Sequence, residues 1–200
     1  MKETRIPKLK GAIDKRNRII EQGFNLMCEK GFHNVSTPDI AKECGVSTGI
    51  IYQYFNDKRE IFLEGVKSYS NSIIFPMLSI LQNLKGYNDL DKLLDEIIDK
   101  FIETHTISKK SHEELIAMSH LDDEIANILN ESELQMTEKI VTLFTDKGII
   151  LNNPLEKIHI IYGILDNYCH EVVYHKHDKI NYDIMKKEVK RIILNVIKEK

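Results

Sequence analysis

The stretch between residues 37 and 58 concentrates side chains whose chemistry suits contact with a nucleic acid. Hydroxyl groups and the free amides of a helix start bind phosphate, a lysine adds positive charge, and a glutamine amide can form two hydrogen bonds with adenine. The stretch contains Thr37, Ser47, Thr48, Gly49, Tyr52, Gln53, Tyr54 and Lys58. A second interpretation stays open, because Thr37 and Ser47 could serve only as helix caps and Tyr54 could be a core aromatic residue.

Other kinds of site have less support in the sequence. No nucleophile with a base, glycine-rich phosphate loop or paired-carboxylate cleft forms a recognisable local signature, so we do not expect an enzyme. His170, Glu171, His175 and His177 cluster near a predicted helix end, but residues 170 and 175 fall on different helix faces. Because the helix dipole favours histidines near a C-terminus, we predict neither a metal nor a cofactor.

Charge is distributed unevenly along the 200 residues. Residues 1–60 contain 11 Lys and Arg against 8 Asp and Glu, whereas the remaining residues contain 17 against 23. The basic excess is densest in the first 20 residues, which contain Lys2, Arg5, Lys8, Lys10, Lys15, Arg16 and Arg18. A basic end beside an acidic remainder predicts that the N-terminal part faces a polyanion.

The elements that position these side chains are predicted to be helices, because apolar residues recur at helical spacing along almost the whole chain. A first helix is expected over residues 15–30, ending at Gly31. A short second helix is expected from Pro38 to about Cys44, with Asp39 at the positive end of its dipole.

Gly45 then makes a turn with positive φ into a third helix that continues to Phe55. Two short helices joined by a tight glycine turn form a helix-turn-helix. The exposed face of the third helix comprises Ser47, Thr48, Gly49, Tyr52 and Gln53. Its dimensions allow it to lie in a major groove.

The rest of the chain is also predicted to be helical. A fourth helix begins near Asp57, and Pro76 is expected to bend or break the helix that covers residues 68–84. Residues 85–88 are predicted to form a loop. Further helices are expected over residues 89–106, 111–118, 121–147, 154–176 and 182–199, which gives an all-α fold with an irregular C-terminal helical bundle.

Between residues 37 and 62, many positions of fixed type follow one another at fixed spacing. They are Thr37-x-x-Ile40-Ala41-x-x-x-Gly45-Val46-Ser47-x-Gly49-x-x-Tyr52-x-Tyr54-Phe55-x-x-Lys58-x-x-Ile61-Phe62. This pattern resembles the DNA-binding signature of the TetR family of transcriptional regulators, and the resemblance covers about residues 10–65. It implies phosphate contacts by Thr37, Ser47, Tyr52, Tyr54 and Lys58, and base-edge contacts by Thr48, Gly49 and Gln53.

The resemblance also implies two domains, a DNA-binding domain over residues 1–60 and a ligand-binding and dimerisation domain over 61–200. Apolar stripes on the last two helices are more often core than interface, but the family pairs these helices in a homodimer. The predicted dimer residues are Ile158, Ile161, Leu165, Val172, Val189, Ile192 and Val196. Candidate polar groups of an effector pocket are His105, His120, Tyr162, Asn167 and Tyr168.

The function that follows is a repressor that binds a palindromic double-stranded operator and is released by an apolar or weakly polar small molecule. Three alternatives remain: an activator, a ligand-independent architectural DNA binder, and a small-molecule-binding protein or enzyme with a vestigial DNA-binding head. No apolar run is long enough to span a bilayer, and we expect a cytoplasmic protein. Cys28, Cys44 and Cys169 are expected to be reduced and mostly buried.

Overall fold

The structure, a computed structural model, describes residues 7–86, 89–107 and 109–199. These residues form α-helices and one short 3-10 turn, Phe32–Asn34, with no strand among them. The helices are α1 Lys10–Lys30, α2 Thr37–Glu43, α3 Thr48–Tyr54, α4 Lys58–Gln82, α5 Leu90–Ile107, α6 Lys109–Ser119, α7 Asp123–Asp146, α8 Pro154–Val173 and α9 Tyr182–Lys198. The predicted all-α fold is confirmed.

Pro76 lies inside α4, which continues to Gln82, so the predicted break is not present. Of the predicted loop at residues 85–88, Lys85 and Gly86 lie outside the helices, and the other two residues fall outside the described part of the chain. Within the described ranges, no helix has the length and apolar character needed to cross a bilayer.

The described residues form two compact units, each made of two segments. The first unit comprises the chain up to Ser70 together with Lys110–Leu129, and the second comprises Asn71–Lys109 and the chain from Asn130 onward. The predicted boundary at residue 60 lies within α4 and inside the first unit. The first unit also contains α6, which the sequence assigned to the C-terminal domain, and the assignment of functions to 1–60 and 61–200 remains a prediction.

The core of the first unit joins α1, α2, α3 and the start of α4 to residues from the later segment. Ile40, Ile51 and Phe62 are fully buried in it, and Leu115 and Met118 of α6 belong to the same cluster. Burying side chains of this size stabilises a fold by roughly 1.5–3 kcal/mol each. The arrangement of α2 and α3 therefore depends on apolar contacts that extend beyond the helix-turn-helix.

The core of the second unit is built on the apolar faces of α5, α8 and α9. Ile98, Cys169 and Ile193 are fully buried there. Lys190 of α9 is held by Asp91 and Asp95 of α5, with its Nζ 3.1 Å from Asp91 Oδ1 and 2.7 Å from Asp95 Oδ2. Apolar packing and these ion pairs together hold α5 and α9 side by side.

Candidate nucleic-acid interface and effector cavity

The N-terminus of α2 is held by a reciprocal cap between Ser36 and Asp39. The Ser36 hydroxyl accepts from the Asp39 N–H, and the Asp39 carboxylate accepts from the Ser36 N–H at 2.9 Å and from the Ser36 hydroxyl. Hydrogen bonds from the hydroxyl and then from the backbone of Ser36 lower the pKa of Asp39. Because Ser36 supplies the cap, the half-buried Thr37 is the first residue of the helix and does not occupy the capping position.

The turn between α2 and α3 is made by Gly45, whose φ of 62° lies in the left-handed region that favours glycine. The Val46 N–H donates to the Ala41 carbonyl at 2.9 Å and closes the turn. Ile40 of α2 and Ile51 of α3 are both completely buried beneath it. This geometry fixes the angle at which α3 leaves the turn, as the sequence predicts.

α3 presents a polar face to solvent and an apolar face to the core. Ser47, Gly49, Tyr52 and Gln53 are exposed, and Thr48 is half-buried. Ser47 occupies the N-cap position, but its side chain makes no capping hydrogen bond. The alternative that Ser47 serves only as a helix cap is therefore not supported, since its hydroxyl remains at the exposed helix start.

Tyr54 and Lys58 occupy different surroundings from the other candidates. Tyr54 is buried in the core of the first unit. The Lys58 ammonium donates to the carbonyl oxygens of Phe32 at 2.7 Å and Val35 at 2.6 Å, and lies 4.5 Å from the centre of the Phe32 ring. Both residues thus support the α2–α3 arrangement, and their contact with phosphate remains a prediction.

The basic residues near the N-terminus also differ in their surroundings, since some are exposed and one contacts the protein itself. Lys8, Lys10 and Arg18 are exposed. Arg16 instead contacts the protein itself, with Nη2 3.3 Å from Glu64 Oε2 and its guanidinium 5.0 Å from the centre of the Phe55 ring. The first two basic residues of the chain, at positions 2 and 5, lie outside the described residues.

The second unit encloses an apolar cavity of about 60 Å³. α4, α5, α7, α8 and α9 all contribute to its wall, with side chains such as Leu94, Phe101, Met136, Ile161 and Ile193. Among the described residues that line it, the hydroxyl of Tyr162 is the only side-chain oxygen. The cavity can accommodate hydrocarbon and offers almost no polar recognition.

Of the five polar residues predicted for an effector pocket, only Tyr162 lines this cavity. His105 is buried, with Nδ1 2.8 Å from the Phe101 carbonyl oxygen and Nε2 3.5 Å from Asp166 Oδ1. Tyr168 is buried and donates to the Tyr182 carbonyl at 3.3 Å. Asn167 is exposed, and His120 is exposed in the first unit. Contact with an effector remains a prediction for all five residues.

The residues predicted for the dimer interface differ in their exposure within the protomer. Ile158, Ile161, Leu165 and Val189 are buried within the protomer, and the first three line the cavity. These four belong to the core of the second unit, and their part in a dimer remains a prediction. Val172 and Val196 are half-buried, and Ile192 is 41% exposed.

Residues 19–64, which include all eight predicted DNA-contact residues, match the sequence model described as bacterial regulatory proteins of the tetR family. Over these residues the chain is similar to the tetR family.

Two proteins that this chain resembles are regulators. An uncharacterized HTH-type transcriptional regulator, YerO, of Bacillus subtilis is 29% identical over 135 residues, which make up 67% of this chain and 44% of that protein. The negative transcriptional regulator IcaR of the biofilm operon icaADBC in Staphylococcus aureus is 25% identical over 142 residues, covering 62% of this chain and 74% of IcaR. The chain thus aligns with less than half the length of YerO.

Solved structures show the same fold. A TetR-family regulator from Mesorhizobium loti superposes with a TM-score of 0.70 at 20% identity, covering 95% of this chain and 96% of that one. FadR from Bacillus subtilis, solved in complex with stearoyl-CoA, gives a TM-score of 0.63 at 20% identity, covering 90% of this chain and 98% of FadR. At this identity the likeness shows a shared fold and no more.

Three charged residues with a place in the first unit were missed by the sequence analysis. The Phe32 N–H donates to Glu114 Oε1 at 2.7 Å, and the guanidinium of Arg59 forms two hydrogen bonds with Asp122, at 2.9 and 2.8 Å. The sequence carries no local signal for these contacts, because each pair is separated by more than 60 residues.

Proposed function

We propose that this chain is a transcriptional repressor that binds a palindromic DNA site as a homodimer and releases it when a small apolar effector binds the second unit. The observation that carries the proposal is the exposed polar face of α3, formed by Ser47, Gly49, Tyr52 and Gln53. Its opposite face is buried, so these side chains are presented from a rigid support. A helix presented in this way matches the way helix-turn-helix proteins read a major groove.

The DNA-binding part is tested with the full-length chain. Duplexes are selected from a random pool by the wild-type protein, and affinity for the selected duplex and a scrambled one is measured by fluorescence anisotropy over a salt series. We expect salt-sensitive binding that favours the selected duplex, as phosphate neutralisation predicts. Equal binding to both duplexes would contradict the proposal.

Two variants separate recognition of bases from contact with phosphates. Gln53→Ala should reduce the preference for the selected duplex, because a bidentate contact with a base contributes about 1–3 kcal/mol of discrimination. Tyr52→Ala should weaken binding to both duplexes, because phosphate contacts carry no sequence information. Gln135→Ala, which removes an exposed glutamine from α7, is the matched control and should change neither quantity.

For the homodimer, we propose that α8 and α9 pair through their exposed apolar residues. Ile160 on α8 and Ile184 and Ile192 on α9 are 54%, 58% and 41% exposed. Gly163, one turn beyond Ile160, has open space around its Cα and would allow a partner helix to approach closely. A twofold dimer presents two copies of α3 to half-sites about 34–36 Å apart.

For the effector, the apolar cavity supports a ligand with a hydrocarbon part. FadR of Bacillus subtilis was solved with stearoyl-CoA, a molecule with a long acyl chain. A homologous series of linear alkanols is the probe, added to the complex with the selected duplex. We expect release at lower concentrations as the chain lengthens, and Leu94→Phe, which narrows the cavity, should prevent release without weakening DNA binding.

The sign of regulation is supported by IcaR, which is named as a negative regulator. A reporter gene placed behind the selected duplex should be silenced by the wild-type chain and expressed with Tyr52→Ala. Activation of the reporter would contradict the repressor assignment and leave DNA recognition intact.

Because the operator lies on the chromosome, we propose that the protein acts in the cytoplasm as a binding protein and not as an enzyme.

A further inference from the structure

Phe32 is held at both ends of its backbone by charged side chains from distant parts of the sequence. Its N–H donates to Glu114 Oε1 of α6 at 2.7 Å, and its carbonyl oxygen accepts from the Lys58 ammonium of α4 at 2.7 Å. Lys58 also binds the carbonyl oxygen of Val35 at 2.6 Å. Hydrogen bonds to ionised groups are stronger than those between neutral groups, so the segment from Phe32 to Val35 is firmly fixed.

This segment determines where α2 begins. Phe32 opens the 3-10 turn Phe32–Asn34, the buried Val35 follows, and Ser36 is the N-cap of α2. With only three residues between Phe32 and Ser36, a displacement of Phe32 is passed directly to the helix start. Thr37, the first residue of α2, is one of the residues predicted to contact phosphate, and α2 packs against α3.

α6 provides a rigid support for Glu114. Leu115 and Met118, on the same helix, are 1% and 5% exposed in the core of the first unit. Immediately after α6, Asp122 accepts two hydrogen bonds from Arg59, and the same guanidinium donates to Glu124 at 2.7 Å. Arg59 is the neighbour of Lys58, so the start of α4 is bonded both to the Phe32–Val35 segment and to the residues that follow α6.

We propose that Glu114 is a positioning residue for DNA recognition, although it lies 50 residues beyond the family-matched segment 19–64. The inference rests on the proposed DNA-binding function. Glu114 acts through the Phe32 N–H and has no contact with DNA in this proposal. A carboxylate from α6 thus supports the DNA-binding surface without being part of it.

Charge makes the test unusually sharp. Removing a negative charge from a DNA-binding protein should by itself strengthen its attraction to phosphate. Glu114→Ala, Glu114→Gln and the neighbouring Glu113→Ala all remove one such charge, and Glu113 is exposed. Only Glu114→Ala also removes the acceptor for the Phe32 N–H, because the glutamine side chain retains a carbonyl oxygen.

The experiment measures affinity of the full-length variants for the duplex selected by the wild-type chain, well below the melting temperature of each. We expect Glu114→Ala to bind about tenfold more weakly, against the electrostatic trend, as loss of a charged hydrogen bond allows. Glu114→Gln and Glu113→Ala should bind at least as tightly as the wild type. Ile125→Val, which destabilises the same core, controls for lost stability and should keep its affinity.

A second readout follows the position of the segment without DNA. Hydrogen exchange at residues 32–39 should become faster in Glu114→Ala and stay unchanged in Glu114→Gln. Unchanged exchange, unchanged affinity in Glu114→Ala, or equal losses in the alanine and glutamine variants would each overturn the inference while leaving the proposed function intact. Failure of the wild-type chain to select any duplex would overturn the proposed function, and this inference with it.

Discussion

Gly65 of α4 lies directly against Phe24 of α1, and a Cβ atom at Gly65 would come within 2.4 Å of Phe24 Cδ2. Phe24 is buried, and its ring centre lies 5.3 Å from that of Phe62. The two helices can approach this closely because residue 65 has no side chain.

Gly65→Ala should therefore destabilise the first unit although alanine favours helix. Overpacking of this kind costs about 1–3 kcal/mol, which should be measurable by urea unfolding. Gly11→Ala is the matched control, since a Cβ there meets no atom within 4 Å. That variant should be neutral or slightly stabilising, and equal stability changes in the two variants would refute the close-packing argument.

Asp95 of α5 gives the second unit a dependence on acid pH. A hydrogen bond from Lys190, followed by the charges of Lys190 and Lys186, lowers the pKa of Asp95 in the folded chain. The ion pairs thus contribute stability that is complete above the ordinary aspartate pKa of about 3.9 and is lost as the pH falls through the lowered value.

Asp95→Asn tests this contribution. Because Asp95 is about half exposed, the variant should lose no more than about 1 kcal/mol near neutral pH. The difference from the wild type should shrink as the unfolding measurements are carried into acid. Glu103→Gln, which breaks an exposed pair with Lys100, should show a smaller difference, and a gap for Asp95→Asn that persists at low pH would contradict the assignment.

The three cysteines should be unreactive in the folded protein. All three are buried, as the sequence analysis expected, and burial raises the pKa of Cys28 and of Cys169 to about 12. Since the thiolate is the reactive form, an aromatic disulfide reagent at mild alkaline pH should label the native chain slowly and all three thiols at once in denaturant. Rapid labelling of the native chain would show that a core opens locally.

Ile160 provides a test of the proposed dimer surface. Ile160→Glu places a charge on the exposed face of α8 and should shift the chain towards monomer in analytical ultracentrifugation, because desolvating an unpaired charge is costly. Ile107→Glu is the control, since Ile107 is 78% exposed in the same unit but lies on α5. A dimer that tolerates Ile160→Glu would place the interface elsewhere.

The helices could be predicted from the sequence because their apolar stripes follow the helical period. The start of α1 was missed, with Lys10 in place of residue 15, since the exposed Leu9 and Ile13 contribute no buried stripe there. The turn at Gly45 was also predictable, because a backbone position with positive φ favours glycine. Local chemistry of this kind is encoded within a few residues.

In the second unit, the surroundings of the helix faces could not be predicted from the sequence. An apolar stripe looks the same whether it faces a core, a cavity or a partner, so Ile158 and Ile161 were assigned to the dimer although they line the cavity. His105 was predicted to be a polar group of the effector pocket, but its ring is hydrogen-bonded to its own helix through the Phe101 carbonyl. Which face of a helix is covered depends on neighbours that no short segment specifies.

The two-segment composition of the first unit has a consequence for synthesis on the ribosome. All eight predicted DNA-contact residues have been made once Ser70 is reached, but the core that supports them also needs Leu115, Met118 and Ile125. At about 5–20 residues per second, the segment up to Leu129 follows only about 3–12 s later. During that delay the nascent chain contains all the predicted DNA-contact residues but lacks the residues that complete their core. A product truncated at Ser70 would lack those core residues permanently.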